Sequence, residues 1–244
     1  MKNIFITGAT SGIGQATAKL FLNNNNNQVW ITGRNKENLN RTAEILKSEN
    51  LKTIQSDTSK INDIKEIANY FKQNNIKLDT LFLNAGIAEF NPIDIVTEEE
   101  FDAQFNTNVK GVFFTIQHLI PYLNEEASII INASTNATAT GIGSSVYSAT
   151  KSAVVKIAQI TANELAHKKI RVNVVSPGPT LTKGLKDAIP DDSLNYLAEK
   201  TALQRLAMPE EIGNVVEFLA SEKSSFINGT EIIVDGGMLN FTMR

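Results

Sequence analysis

Residues 146–153 read VYSATKSA, which sets a phenol, Tyr147, four positions before an ammonium, Lys151, in a row of small residues. In a helix, positions i and i+4 share a face, with their Cβ atoms about 5–6 Å apart. A free phenol ionises near pH 10. A cation one turn away favours the phenolate and lowers that pKa toward the range where a group can pass protons at neutral pH. The small neighbours Ser148, Ala149 and Ala153 leave room for ligands to approach. Taken alone, Y-x-x-x-K is better explained by a core tyrosine and a solvated lysine, since the pattern is common by chance, so the rest of the chain has to decide.

A second chemical stretch lies near the start. TGATSGIG at 7–14 follows an apolar run, KNIFIT, and opens a helical pattern, the position a dinucleotide phosphate site requires. Gly8 suits the tight turn, Gly12 lets the backbone approach a pyrophosphate, and Gly14 permits close helix packing, with Thr10, Ser11 and Ile13 between them. The N–H groups at the helix start would then receive the phosphates. Three glycines in eight residues are costly unless something approaches closely.

These residues need a frame to hold them. The runs KNIFIT, QVWIT, KTIQS, DTLFLN, SIIINA, IRVNVVS and TEIIVD read as strands, apolar on both faces and so covered on both. Between them lie helical segments at about 12–22, 35–48, 60–74, 98–123, 145–167 and 209–220. Alternating strands and helices predict an α/β fold, a doubly wound sheet of about seven parallel strands in a single Rossmann-like domain over 1–244. Asn23–Asn27, five asparagines in a row, are expected to form a loop in which asparagine replaces glycine at a left-handed position.

Composition narrows the chemistry. A net charge of −3 with scattered signs argues against nucleic acid as partner. Zero cysteines exclude disulfides, Cys-ligated zinc and a thiol nucleophile. The two histidines, His118 and His167, fall in helical segments, and no G-x-S-x-G serine motif accompanies them, so neither a metal site nor a Ser-His-Asp hydrolase is expected. MKNIFITG enters a strand directly and no apolar run reaches membrane-spanning length; we expect no signal peptide, no membrane partner and a cytoplasmic location.

The G-x-x-x-G-x-G spacing together with Tyr147 and Lys151 resembles the short-chain dehydrogenase/reductase family, in its single-domain branch. LNAG at 83–86 matches the family's N-A-G motif, and NTNVKG at 106–111 places Asn108 on its active-site asparagine. INAS puts Ser134 thirteen residues before Tyr147, the family's serine position; SPGPT at 176–180 and IIVDGG at 232–237 match its later motifs. Two departures, Leu83 where many members carry a second asparagine and the missing glycine at 23–27, touch packing only. The resemblance implies that Tyr147 is the general acid/base, that Ser134 donates to the substrate oxygen, and that Asn108 holds a water linking Lys151 to solvent. It further implies that Lys151 also binds the nicotinamide ribose. Asp57 would contact adenine, Ile13 and Asn84 would line the cofactor cleft, Ala85, Gly86, Pro177 and Gly178 would also bind the cofactor, and Thr180 and Thr182 would close over the nicotinamide amide.

An NAD site usually carries an acid at the end of the second strand, for the ribose hydroxyls, whereas an arginine suits the extra 2′-phosphate of NADP. Here Gly33 stands in that place and Arg34 follows. NADP(H) is therefore the expected cofactor, with NAD(H) as alternative, and carbonyl reduction the expected direction. The resemblance places the substrate, a small carbonyl compound or alcohol, under a lid at about 181–205 and beside residues 135–145. It covers 3-oxoacyl-carrier-protein reductases and alcohol or sugar dehydrogenases alike, and a non-catalytic cofactor-sensing protein on the same fold stays open as an alternative. An extended-branch epimerase or dehydratase would need a longer C-terminal region. Apolar positions on the two long helices, Phe101, Phe105, Phe113, Phe114, Val154, Ile157 and Ile160, either face the sheet or, by resemblance, pair subunits into a homotetramer, or a dimer.

Overall fold

The computed structural model describes residues 1–188 and 190–240. Ile189 of the expected lid and residues 241–244 of the expected domain lie outside the described residues.

All seven expected strands form: β1 (Lys2–Ile6), β2 (Asn27–Gly33), β3 (Leu51–Gln55), β4 (Leu78–Leu83), β5 (Leu123–Asn132), β6 (Arg171–Pro177) and β7 (Glu231–Val234). They make one parallel sheet in the order β3-β2-β1-β4-β5-β6-β7, so the direction of winding reverses between β1 and β4. Ligands of such sheets bind at the carboxyl ends of the strands beside that reversal. Ile4 pairs with Thr80 across it, and Leu81 with Ile129 on the next strand.

The unbroken apolar runs are explained by cover on both sides. Phe5, Trp30, Leu81, Leu83, Ile129 and Ile131 point to one core, closed by α3 (Ile61–Gln73), α5 (Gly111–Leu119) and α6 (Ser145–Glu164) through Ile67, Phe71, Ile116 and Val154. Their neighbours Ile4, Ile6, Val29, Ile31, Phe82 and Ile130 point to the other, closed by α1 (Gly12–Leu22) and α9 (Pro209–Leu219). Phe71 meets Phe5 and Trp30 edge-on at 5.3 and 5.8 Å.

Three local expectations change. The helix expected over 98–123 is α4 (Glu98–Phe105), a π turn (Asn106–Lys110) and α5, with β5 starting at Leu123. The expected lid holds two short helices, α7 (Lys183–Ala188) and α8 (Asp191–Glu199). The five asparagines adopt no left-handed backbone. Instead Asn23 continues right-handed out of α1, Asn24 Oδ1 accepts the Asn26 N–H, and Asn27 Nδ2 donates to the Phe21 carbonyl at 2.8 Å. The amides satisfy the carbonyls and N–H groups that a helix end leaves open, which is the need glycine would otherwise have met by geometry. The remaining helix is α2 (Lys36–Leu46), which follows β2.

Candidate active site

A cleft of about 950 Å³ runs along the carboxyl ends of the strands, from Arg34 and Asn38 at one end to Phe90, Leu197 and Met238 at the other. Gly8 and Gly12, at φ +64° and +55°, shape the turn into α1. A Cβ on Gly8 would lie 2.7 Å from Ala85 Cα, and one on Gly12 would lie 3.1 Å from the Thr182 methyl. Gly14 does not line the cleft; a Cβ there would meet Asn84 Nδ2 at 2.5 Å. The Asn84 amide donates to the carbonyls of Thr7 (3.2 Å) and Gly8 (2.8 Å), tying the turn to the end of β4. No acidic side chain occupies the first turn of α1, and Ser11 makes no side-chain cap there. A backbone cradle at the positive end of a helix, with no carboxylate to compete, fits the pyrophosphate of a dinucleotide.

Midway along the cleft, α6 and the end of β5 bring Tyr147, Lys151 and Ser134 together. Ser134 Oγ accepts the Asn136 N–H at 3.2 Å, which leaves its own proton to meet a neighbouring oxygen. Burial pushes the phenol above its ordinary value of 10.0, and the Ser134 hydrogen bond draws it back in part. The expected lowering by Lys151 does not prevail. Its ammonium stands 5.7 Å from the Tyr147 ring centroid and donates instead to the Asn132 carbonyl at 2.8 Å. Burial also brings the Lys151 ammonium down to about 8, since a charge with little water around it is costly.

Asn108 lies on the π turn, 1% exposed and outside the cleft lining. Its Oδ1 accepts the Ile87 N–H at 2.9 Å while its Nδ2 donates to the Ile87 carbonyl at 2.8 Å and to Thr150 Oγ1 at 3.0 Å. Thr150 in turn donates to the Tyr147 carbonyl at 2.7 Å. One amide thus joins the segment after β4 to the turn of α6 that carries the phenol.

Comparison with known proteins follows this geometry. The sequence profile described as enoyl-(acyl carrier protein) reductase matches residues 8–239. The 3-oxoacyl-[acyl-carrier-protein] reductase of Thermotoga maritima is 34% identical over 242 residues, 98% of each chain. An oxidoreductase of Sarocladium schorii is 35% identical over 239 residues, 97% of this chain and 95% of its own. The crystal structure of a short-chain dehydrogenase/reductase (glucose/ribitol dehydrogenase) from Brucella melitensis superposes with a TM-score of 0.92 at 31% identity, covering 99% of this chain and 97% of that one. The chain belongs to the short-chain dehydrogenase/reductase family. It is an oxidoreductase of that family, whose members use NAD(P)(H), and the cradle described above fits such a cofactor.

Most residues picked out for the cofactor of a short-chain dehydrogenase/reductase do line the cleft: Gly8, Thr10, Ser11, Gly12, Ile13, Arg34, Asp57, Asn84, Ala85, Gly86, Pro177, Gly178, Thr180 and Thr182. Asp57 closes the turn after β3, accepting from Ser59 N and Ser59 Oγ. The Arg34 guanidinium is exposed and, among the described residues, makes neither an ion pair nor a side-chain hydrogen bond. Beside it Gly33 packs so tightly that a Cβ would stand 2.5 Å from the Thr10 methyl. Sequence reasoning passed over Asn38, which lines the cleft near Arg34 and whose N–H is held by the N-cap Asn35 at 2.8 Å. An N-x-x-N opening a helix was the available signal. It also passed over Phe90, in a segment with no periodicity to read.

Among the described residues no group of three or more His, Cys, Asp or Glu side chains is placed to hold a metal ion, and no helix is long and apolar enough to cross a membrane.

Proposed function

We propose that the chain is an NADP(H)-preferring reductase that interconverts a carbonyl compound and a secondary alcohol, with Tyr147 as general acid/base. The observation that carries this reading is that Ser134, Tyr147 and Lys151 line one cleft together with the backbone cradle of Gly8 and Gly12. Two hydroxyl groups in one such cleft suit the oxygen of a carbonyl. The matched profile is named for reduction of a C=C bond and the Thermotoga maritima relative for reduction of a C=O bond, so the Ser134 and Tyr147 hydroxyls are the better guide to the reaction.

The bound reduced nicotinamide would supply a hydride to the carbonyl carbon. Gly8, Gly12 and the start of α1 would hold its phosphates, and Arg34 the 2′-phosphate. Ser134 would donate to the substrate oxygen and fix its place. Tyr147 would release its proton to that oxygen as the π pair of the C=O bond moves onto it, leaving a phenolate beside the Lys151 ammonium. Burial keeps the phenol protonated at neutral pH, the form that can give its proton to the substrate oxygen.

The rival reading, a protein that binds the cofactor without turnover, has no observation in its favour: Asn108, Ser134, Tyr147 and Lys151 are all present, and a binding protein would be free to lose any of them. The deciding assay follows nicotinamide absorbance with a panel of ketones and aldehydes, wild type against Tyr147→Phe. Reduction by wild type that the variant loses supports the enzyme; no turnover with either reduced cofactor overturns it.

We also read 1–244 as one domain with its lid at 181–205, working in the cytoplasm as a homotetramer, or a dimer. Phe101, Phe113 and Ile160 support this assembly: they leave the core and stand 45%, 46% and 52% exposed on α4, α5 and α6. A monomer at micromolar concentration in sedimentation would refute both assemblies.

A further inference from the structure

We propose that Phe90 is a specificity-determining wall of the substrate site, and that it selects neutral ketones carrying a flat aryl group next to the carbonyl. The proposal rests on the reading of Tyr147 as the residue that meets the carbonyl oxygen. Phe90 approaches Tyr147 edge-on, with ring centroids 5.5 Å apart and planes at 66°. Phe90 is 46% exposed and lines the cleft, so nearly half of the residue's surface is free to meet a ligand. A carbonyl oxygen at the Tyr147 hydroxyl brings the group on the carbonyl carbon within reach of that free face. Aromatic rings prefer offset-stacked or edge-to-face partners at about 4.5–7 Å, so a flat ring there gains an interaction that a puckered one does not.

The surroundings agree on charge. Among the described residues, the charged groups lining the cleft are Arg34, Asp57, Glu89 and Lys151. Arg34 and Asp57 belong to the adenosine end and Lys151 is committed to the Asn132 carbonyl, so the substrate end offers no cation to an acid or a phosphate. Phe90, Leu185, Leu197 and Met238 make that end apolar.

Phe90 is also held in place by a regular device. Glu100, Gln104 and Asn108 follow one another at intervals of four along α4 and the π turn. Each meets the segment after β4. Glu100 Oε1 accepts from Asn91 Nδ2 at 2.9 Å. Gln104, 2% exposed, accepts the Glu89 N–H and donates to the Glu89 carbonyl, both at 3.4 Å. Asn108 does the same for Ile87. Four residues of helix rise about 6.0 Å and two extended residues span about 6.6 Å, so amides four apart on the helix match residues two apart on the segment. The two amides act as a substitute strand, and Phe90 follows directly from the clamped Glu89. Gln104 is thereby a positioning residue for Phe90.

The test compares acetophenone with cyclohexyl methyl ketone, which share an acetyl group and a six-carbon ring and differ in flatness. The saturated ketone is the more hydrophobic, so general apolarity alone would favour it. Binding is measured by saturation-transfer NMR in the presence of oxidised cofactor, which cannot reduce either compound; turnover with reduced cofactor is measured separately. Wild type is expected to bind acetophenone about three- to tenfold more tightly. Phe90→Leu should bring the ratio near one, Phe90→Tyr should keep it, and Gln104→Met should lower it with cofactor affinity within twofold of wild type. A wild-type ratio of one or less, a ratio unmoved by Phe90→Leu, or no binding of either ketone overturns the proposal. Selective binding without turnover would sink the reductive reading and leave this one standing.

Discussion

The Lys151 ammonium, 5% exposed, donates to the Asn132 carbonyl at 2.8 Å, one turn along α6 from Tyr147. The fold keeps a charge there at a cost, since burial lowers its pKa from 10.5 to about 8. The unfolded chain therefore binds more protons between about pH 8 and 10.5, and stability from this site rises with pH across that window. Below about 8 both states are protonated and the full burial cost, about 3 kcal/mol, is present. Lys151→Met removes that cost and leaves one carbonyl without its donor, worth about 1 kcal/mol. At pH 7 the variant should be more stable than wild type by about 2 kcal/mol in urea unfolding, with the advantage shrinking by pH 10, and it should be inactive. A variant less stable at pH 7 would show that the hydrogen bond outweighs the desolvation.

The phenol is shifted in the opposite sense. Because burial raises the Tyr147 pKa, the acid form persists through neutral pH, and ketone reduction should be flat from about pH 6 to 8. Alcohol oxidation needs the phenolate and should climb by up to about tenfold per pH unit over the same range. In Tyr147→Phe both rates should fall by about 10²–10⁴-fold, with cofactor affinity within a few-fold. Initial rates in both directions across buffered pH would check this; an oxidation rate that is flat below pH 8 would place the functional pKa lower than burial of the phenol suggests.

The frame was legible because its causes are local. Strands covered on both faces read as unbroken apolar runs, so every one of β1 to β7 was visible in the sequence, and the glycines at 8, 12 and 14 announced a turn that nothing bulkier could make. The π turn at Asn106–Lys110 was hidden, because apolar spacing through Phe101, Phe105, Val112 and Ile116 continues across it as it would in an unbroken helix. The asparagine run misled because its amides solve by hydrogen bonding what glycine solves by left-handed geometry. The direction of the Tyr147 shift was unreadable because burial is a property of everything packed around α6 and not of the Y-x-x-x-K spacing. Phe90 was silent for a related reason: its place is set by Gln104, fourteen positions away, and not by any period of its own segment.

Arg34 stands exposed after β2, its guanidinium without a partner among the described residues, beside a glycine whose Cβ would strike Thr10. A charge-assisted bond to a 2′-phosphate is worth about 1.5–3 kcal/mol. Arg34→Ala should therefore weaken NADPH binding by about ten- to hundredfold and leave NADH within twofold, read from nicotinamide fluorescence in a titration. Equal affinities in wild type, unmoved by the substitution, would make Arg34 a surface charge and the enzyme indifferent to the phosphate.

Gly14 makes a different claim, since it touches no ligand. A methyl group there would press on the Asn84 amide, which holds the carbonyls of Thr7 and Gly8. Gly14→Ala should displace that amide, reduce affinity for both cofactors alike and destabilise the fold by about 1–3 kcal/mol. Loss confined to NADPH would contradict a role in shaping the turn.

Asn108 separates two roles that the family resemblance and the hydrogen bonds assign to one residue. As a relay through water, its removal would slow turnover and spare the fold. As a clamp, Asn108→Ala strips both partners from the Ile87 backbone and the donor from Thr150, leaving buried polar groups unpaired at about 1–3 kcal/mol. The clamp predicts lower unfolding free energy, faster hydrogen exchange at the Ile87 amide, and weaker selectivity between acetophenone and cyclohexyl methyl ketone, because the segment carrying Phe90 loses one of its two amide supports. Asn108→Asp keeps the acceptor for the Ile87 N–H and should recover part of the exchange protection. A large fall in kcat with stability, exchange and selectivity all at wild-type values would assign Asn108 to proton transfer alone, and the packing of the segment to Gln104 and Glu100.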